Sequence, residues 1–140
     1  MKVVINTCYG GFGLSTEALK LWAELKGIPT WESVGSYKDI VISTVPPAEL
    51  LAGDDPDNKW ATMSFAERRA YNETYNAQRI SDRTMPRECP VLVQVVKTLG
   101  ARANGRCAEL AIVDIPEDVK WHVVEYDGLE HIAEDHRTWG

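Results

Sequence analysis

The period of the apolar positions changes along this chain, and each change marks an element. Lys2 to Ile5 form a short β-branched run, the pattern of a buried strand. From Thr16 to Leu25 the period becomes helical: Leu19, Leu21, Trp22 and Leu25 fall on one side, and Ser15 stands at the N-cap position. Gly27 is a natural residue just past a helix end, and Ile28-Pro29 stops further helix. Residues 30 to 36 carry Trp31 and Val34 among polar neighbours and read as a short strand. Asp39 to Val45 are a second strand, ended by Pro46-Pro47. Residues 46 to 59 cluster Gly, Asp, Pro and Asn and read as a mobile loop, with one helical turn hinted at Ala48 to Leu51.

Ser64-Phe65-Ala66-Glu67 fits the S-x-x-E capping box, so a helix is expected from Phe65 to about Arg79. Its stripe of Arg68, Asn72, Tyr75 and Arg79, with Tyr71 beside it, reads two ways. Tyrosines and guanidinium groups can take the bases and phosphates of a ligand, or the tyrosines can face the core with their hydroxyls in water. After a polar stretch broken by Pro86, Pro90 opens a helix from Val91 to Leu99. Leu92, Val95, Val96 and Leu99 form its core face, and Gly100 closes it. The last third reads as three consecutive antiparallel strands, Cys107 to Ile115, Val119 to Tyr126 and Leu129 to Glu134. Asp127-Gly128 is a type I′ hairpin pair, which sets Tyr126 against Leu129, Val124 against His131 and His122 against Ala133. The expected fold class is α+β, a mostly antiparallel sheet with two or three packed helices in a single ligand-binding domain over residues 1–140.

With 140 residues, 44% of them hydrophobic and 26% charged, the chain can bury one core without staples. No apolar run approaches a membrane span, so no membrane partner is expected, and the first residues are too short for a signal peptide. Cys8, Cys89 and Cys107 are odd in number and far apart, which points to reduced thiols inside a cell. A net charge of −6 argues against a nucleic-acid polymer as partner. The distribution matters more than the total. Residues 60 to 106 hold seven of the eight arginines plus Lys97 against four carboxylates, whereas Asp114 to the end holds eight carboxylates against Lys120 and Arg137. A basic middle in an acidic protein suits a small anionic ligand, and salt bridges between middle and tail are the structural alternative.

The candidate chemistry centres on Cys8, Tyr9, Gly10, Gly11, Phe12, Gly13, Leu14 and Ser15, a glycine-dense bend between strand and helix. Its backbone amides sit at the positive end of a helix and suit an anion, a reading that competes with a purely structural turn. The stretch has G-G-x-G and no Lys, so it is neither a P-loop nor a dinucleotide fingerprint. Cys8 near a helix start is a candidate nucleophile, although no Arg or His follows within the loop. Arg102 and Arg106 flank the turn signal Asn104-Gly105 and are either a phosphate clamp or solvated turn charges. His122, His131 and His136 are a weak metal candidate. Glu125 and Glu130 face each other in the hairpin, where like charge can raise one carboxyl pKa and provide a general acid.

Three stretches together resemble a family of small bacteriophage-encoded proteins: residues 1–15, Ala103 to Trp121, and Glu125-Tyr126-Asp127-Gly128 with His136-Arg137-Thr138-Trp139. That family resembles the Thoeris anti-defence sponges, which form homo-oligomers and sequester cyclic ADP-ribose isomers, some also holding cyclic oligonucleotides. The resemblance implies a non-catalytic phage protein of the host cytoplasm, a dimer or hexamer, that captures a cyclic nucleotide-type immune signal intact and without a cofactor. It makes the glycine loop, Arg102, Asn104, Arg106 and Arg137 candidate ligand contacts. It does not carry over near Cys89, because the family pattern has an acidic residue before the proline. Two other functions fit the residues: an enzyme acting on a phosphorylated metabolite through Cys8 or the glutamate pair, and a protein-binding inhibitor using the acidic segment from Asp114 to Asp135.

Overall fold

The structure, a computed structural model, describes residues 1–53 and 59–140. The first strand, β1 (Lys2–Asn6), leads through the glycine loop into helix α1 (Thr16–Leu25). A hairpin follows, β2 (Trp31–Val34) and β3 (Ile40–Ser43). Then come a one-turn helix α2 (Lys59–Thr62), helix α3 (Phe65–Ala77) and helix α4 (Pro90–Leu99). Strands β4 (Leu110–Asp114), β5 (Trp121–Tyr126) and β6 (Leu129–Glu134) close the chain. The α+β class expected from the sequence is what forms. Of the loop expected over 46 to 59, Pro47–Glu49 is a single 3-10 turn, and residues 54 to 58 lie outside the described part.

The strands do not merge into one sheet. They form three two-stranded antiparallel ladders, β1 with β4, β2 with β3, and β5 with β6. The segment expected to pair with β5 pairs instead with the first strand, Val4 opposite Ile112 and Asn6 opposite Leu110. The second edge of β1 is closed without a strand. The Val4 amide donates to the Arg87 carbonyl at 2.9 Å, and the Asn6 amide donates to the Glu130 carboxylate at 2.8 Å. Those amides would otherwise be buried donors with no acceptor, a costly arrangement. β3 likewise takes the segment after α3 on its open side, through Ile80 N–H to Ile42 O and Thr44 N–H to Gln78 O, each 2.9 Å.

Burial explains the unbroken apolar run at the start: Val3, Val4 and Ile5 are all buried, so both faces of β1 are covered and alternation has no place. The main core joins Val4 to Leu14, Ala18, Met85, Leu92, Val93, Val95, Val96 and Ala103, with Phe12, Leu19 and Trp22 packed around it. The helix starts are capped as their sequences ask. Ser15 Oγ accepts from the Ala18 amide at 3.1 Å, and Ser64 Oγ accepts from the Glu67 amide at 3.2 Å.

Asn6 ties the ladders together. It is fully buried, and its Nδ2 donates to the carbonyls of Cys8 (2.7 Å) and Gly128 (2.6 Å) while its Oδ1 accepts from the Glu109 amide at 2.8 Å. Above it lies the pair Arg87–Glu130. The guanidinium makes a two-pronged contact with the carboxylate, at 2.6 and 2.8 Å, and its carbon stands 3.5 Å from the centre of the Phe12 ring.

Candidate ligand site

The glycine loop and the segment after α4 do meet, and their contacts are mostly between backbones. Gly105 N–H donates to Gly13 O at 2.8 Å, Leu14 bridges Asn104, and Ser15 N–H donates to Ala103 O at 2.9 Å. Ser15 Oγ donates to Arg102 O at 2.6 Å, and Asn104 Oδ1 accepts from the Leu110 amide at 2.9 Å. The glycines are required by close approach. A Cβ on Gly10 would lie 2.8 Å from Cys107 Cβ, one on Gly105 would lie 2.7 Å from the Gly13 carbonyl carbon, and one on Gly128 would lie 2.1 Å from the Gly11 nitrogen.

This packing uses amides that the sequence offered to an anion. Gly10 N–H donates to Asp127 O at 3.1 Å, and Leu14 N–H donates to the Asp82 carboxylate at 2.8 Å. An internal carboxylate therefore sits where a phosphate was expected, at the turn into α1. Arg102 reaches Glu17 in the first turn of α1, Nε to Oε2 at 3.3 Å with a second contact from Nη2 to Oε1. That hydrogen bond holds the Glu17 carboxyl below its ordinary pKa and the Arg102 guanidinium above its own. Cys8 Sγ donates to Cys107 O at 3.2 Å and lies 3.4 Å from Asn6 Oδ1. Tyr9, Arg106 and Arg137 have exposed side chains, Arg137 in the tail beyond β6. The candidate set thus splits into a group held by internal contacts, Cys8, Gly10, Gly11, Phe12, Gly13, Leu14, Ser15 and Asn104, and an outward group, Tyr9, Arg102, Arg106 and Arg137.

Two other candidates resolve into structural contacts. Glu125 and Glu130 are opposed as the hairpin register requires, but Glu130 is claimed by Arg87 and the Asn6 amide, and Glu125 accepts from the Gly128 amide. His122 pairs with Asp135, and no group of three metal-ligating side chains occurs among the described residues. Between the basic middle and the acidic tail, Arg87–Glu130 is the ion pair formed among the described residues.

A concave feature lies elsewhere in the molecule. A cavity of about 800 Å³ opens between the β2–β3 hairpin, residues 50–53, the end of α3 and the stretch Ile80 to Thr84. That volume is in the range of small-molecule sites, roughly 300–1,000 Å³. Leu19, Ile40 and Ile80 give it apolar walls, and Arg79, Arg83, Tyr37 and Tyr75 give it chemistry. Arg79 is fixed in three ways: its guanidinium carbon stands 3.5 Å from the centre of the Tyr75 ring, Nη1 donates to Tyr75 O at 3.0 Å, and Nη2 donates to Leu51 O at 2.7 Å. Arg83 is exposed at the mouth, and Asp39 supplies one opposing charge. The α3 stripe therefore divides. Tyr75 and Arg79 face the cavity, whereas Tyr71 Oη donates to the carbonyl of Ala52, a lining residue, and Arg68 Nε donates to Trp60 O at 3.0 Å, away from it. The stripe signalled Tyr75 and Arg79, and the basic middle signalled Arg83. Tyr37 and Asp39 carry no signal of their own, because the hairpin that presents them has an ordinary turn sequence.

Comparison of the chain with protein-family models, with curated proteins and with solved structures finds no match. Among the described residues, no helix is long and apolar enough to cross a membrane.

Proposed function

We propose that this protein is a non-catalytic binder of a small nucleotide-type anion, held in the 800 Å³ cavity and released unchanged. The observation that carries the reading is that Arg79, Arg83 and Tyr75 line one cavity, with Tyr37 at its edge, 93% exposed. Arginine forks match phosphate oxygens in pairs, and a phenol ring stacks on a base. The resemblance to phage anti-defence sponges supplies the candidate ligands, cyclic ADP-ribose isomers and cyclic oligonucleotides, and the expectation of a homo-oligomer in the host cytoplasm.

Calorimetric titration with these compounds tests the reading, followed by heating the complex and chromatography of what is released. The recovered compound should be intact. Arg83→Ala should weaken binding by roughly 10–100-fold, the loss of a charge-assisted contact, while the melting temperature stays unchanged. Full affinity in Arg83→Ala together with lost affinity in Arg102→Ala or Arg106→Ala would move the ligand to the glycine loop. A hydrolysed product would replace capture with catalysis.

A further inference from the structure

Two of the three cysteines lie far apart in sequence and together in the fold. The β1–β4 ladder continues one step past its last paired residues, with Thr7 N–H donating to Glu109 O at 2.8 Å. Continuing that register sets Cys8 opposite Ala108, and Cys107 is the next residue along, in the turn closed by Ala108 N–H to Gly105 O at 3.2 Å. Cys8 Sγ is 3.2 Å from the Cys107 carbonyl oxygen. Cys107 packs against the glycine loop, its Cβ and its carbonyl oxygen each 2.8 Å from where a Cβ on Gly10 would be. The Cys8 thiol therefore already touches the Cys107 backbone, the proximity from which a disulfide can close. Both thiols are free; Cys107 is exposed and Cys8 half-buried. Cys89, by contrast, is the N-cap residue of α4 and packs against the main core.

We propose that Cys8 and Cys107 form a reversible redox pair that stitches the glycine loop to the segment before β4. The oxidant is a small-molecule disulfide such as glutathione disulfide. The exposed Cys107 thiolate attacks it, forming a mixed disulfide and releasing one glutathione thiolate. Cys8, having given its proton to water, then attacks the Cys107 sulfur and displaces the second glutathione. The protein loses two protons and two electrons, and the glutathione disulfide is reduced to two thiols. A bond that forms and breaks in this way is the kind seen inside cells, where lasting structural disulfides are rare.

The test uses the full chain incubated with excess glutathione disulfide, alkylated, digested and mapped by mass spectrometry. A linked peptide joining Cys8 to Cys107, with Cys89 alkylated, is expected in the native sequence and equally in Cys89→Ser. Cys8→Ser should stop at a glutathione adduct on Cys107, and Cys107→Ser should give no link. The oxidised protein should melt higher by roughly 5–15 °C, because the bond closes a loop of about 100 residues in the unfolded chain. A persistent glutathione adduct on Cys107 of the native sequence, a link through Cys89, or disulfide-joined dimers as the main product would each overturn the pairing.

Discussion

Replacing Arg87 by methionine removes a guanidinium and keeps its apolar stem over Phe12. The carboxylate left behind cannot escape to water: the Glu130 side chain is 5% exposed, against 23% for Arg87. Its one remaining donor is the Asn6 amide. Breaking a buried pair from one side costs about 3–5 kcal/mol, and the lost cation–ring contact adds about 1 kcal/mol. Set against a total stability of roughly 5–15 kcal/mol, that is a large share, and it should lower the melting temperature by roughly 10–15 °C. Glu130→Leu should cost less, because the stranded guanidinium still reaches solvent. The double variant, Arg87→Met with Glu130→Leu, should regain most of the loss and remain about 1–3 kcal/mol short, the cost of the unpaired Asn6 amide. Urea unfolding followed by circular dichroism measures all three. A loss under about 1 kcal/mol in Arg87→Met, or a double variant as unstable as the two losses added, would refute the reading of Glu130 as a buried carboxylate held by Arg87.

Two glycines separate close approach from backbone freedom. Gly128 has φ +89° and faces the Gly11 nitrogen, so Gly128→Ala should cost several kcal/mol or prevent folding; Gly27 has φ +71° with open space, so Gly27→Ala should cost only about 1 kcal/mol by thermal melting. Glu17 is an exposed carboxylate whose folded pKa is lowered chiefly by its Arg102 hydrogen bond. Its stabilising contribution is therefore present above the ordinary carboxylate pKa and disappears as pH falls through the lowered folded value. A carboxyl titration followed by NMR should show Glu17 returning toward its ordinary value in Arg102→Ala, and no change between the two proteins would count against the contact.

Much of the local structure was legible from the sequence, and the reasons are specific. Ser15 and Ser64 each precede a helical period with an acidic residue in the first turn, and both cap as expected. The Asp127-Gly128 turn fixed the last hairpin to the residue, Tyr126 on Leu129 and His122 on Ala133. What escaped was long-range. Nothing near Leu110 tells it to seek Asn6 rather than β5, because that pairing joins residues from opposite ends of the chain, beyond the reach of any local turn signal. The glycine loop misled for the same reason. Its backbone requirement was plain, but the acceptor for Leu14, Asp82, comes from a polar stretch whose role is set only by tertiary placement. The cavity is assembled from four separated segments, so only its arginines and Tyr75 could be marked in advance.

Asn6 has a further consequence for how the molecule is made. Its carboxamide is completed by Glu109 and Gly128, and its amide by Glu130, so the opening strand has no finished surroundings until residue 130 has left the ribosome. The first hundred residues must wait, as a nascent chain, with Val3, Val4 and Ile5 uncovered on at least the β4 side. Completion of the opening strand therefore waits on the last hairpin, and a chain stopped before the Asp127-Gly128 turn would leave Asn6 without its Gly128 and Glu130 partners.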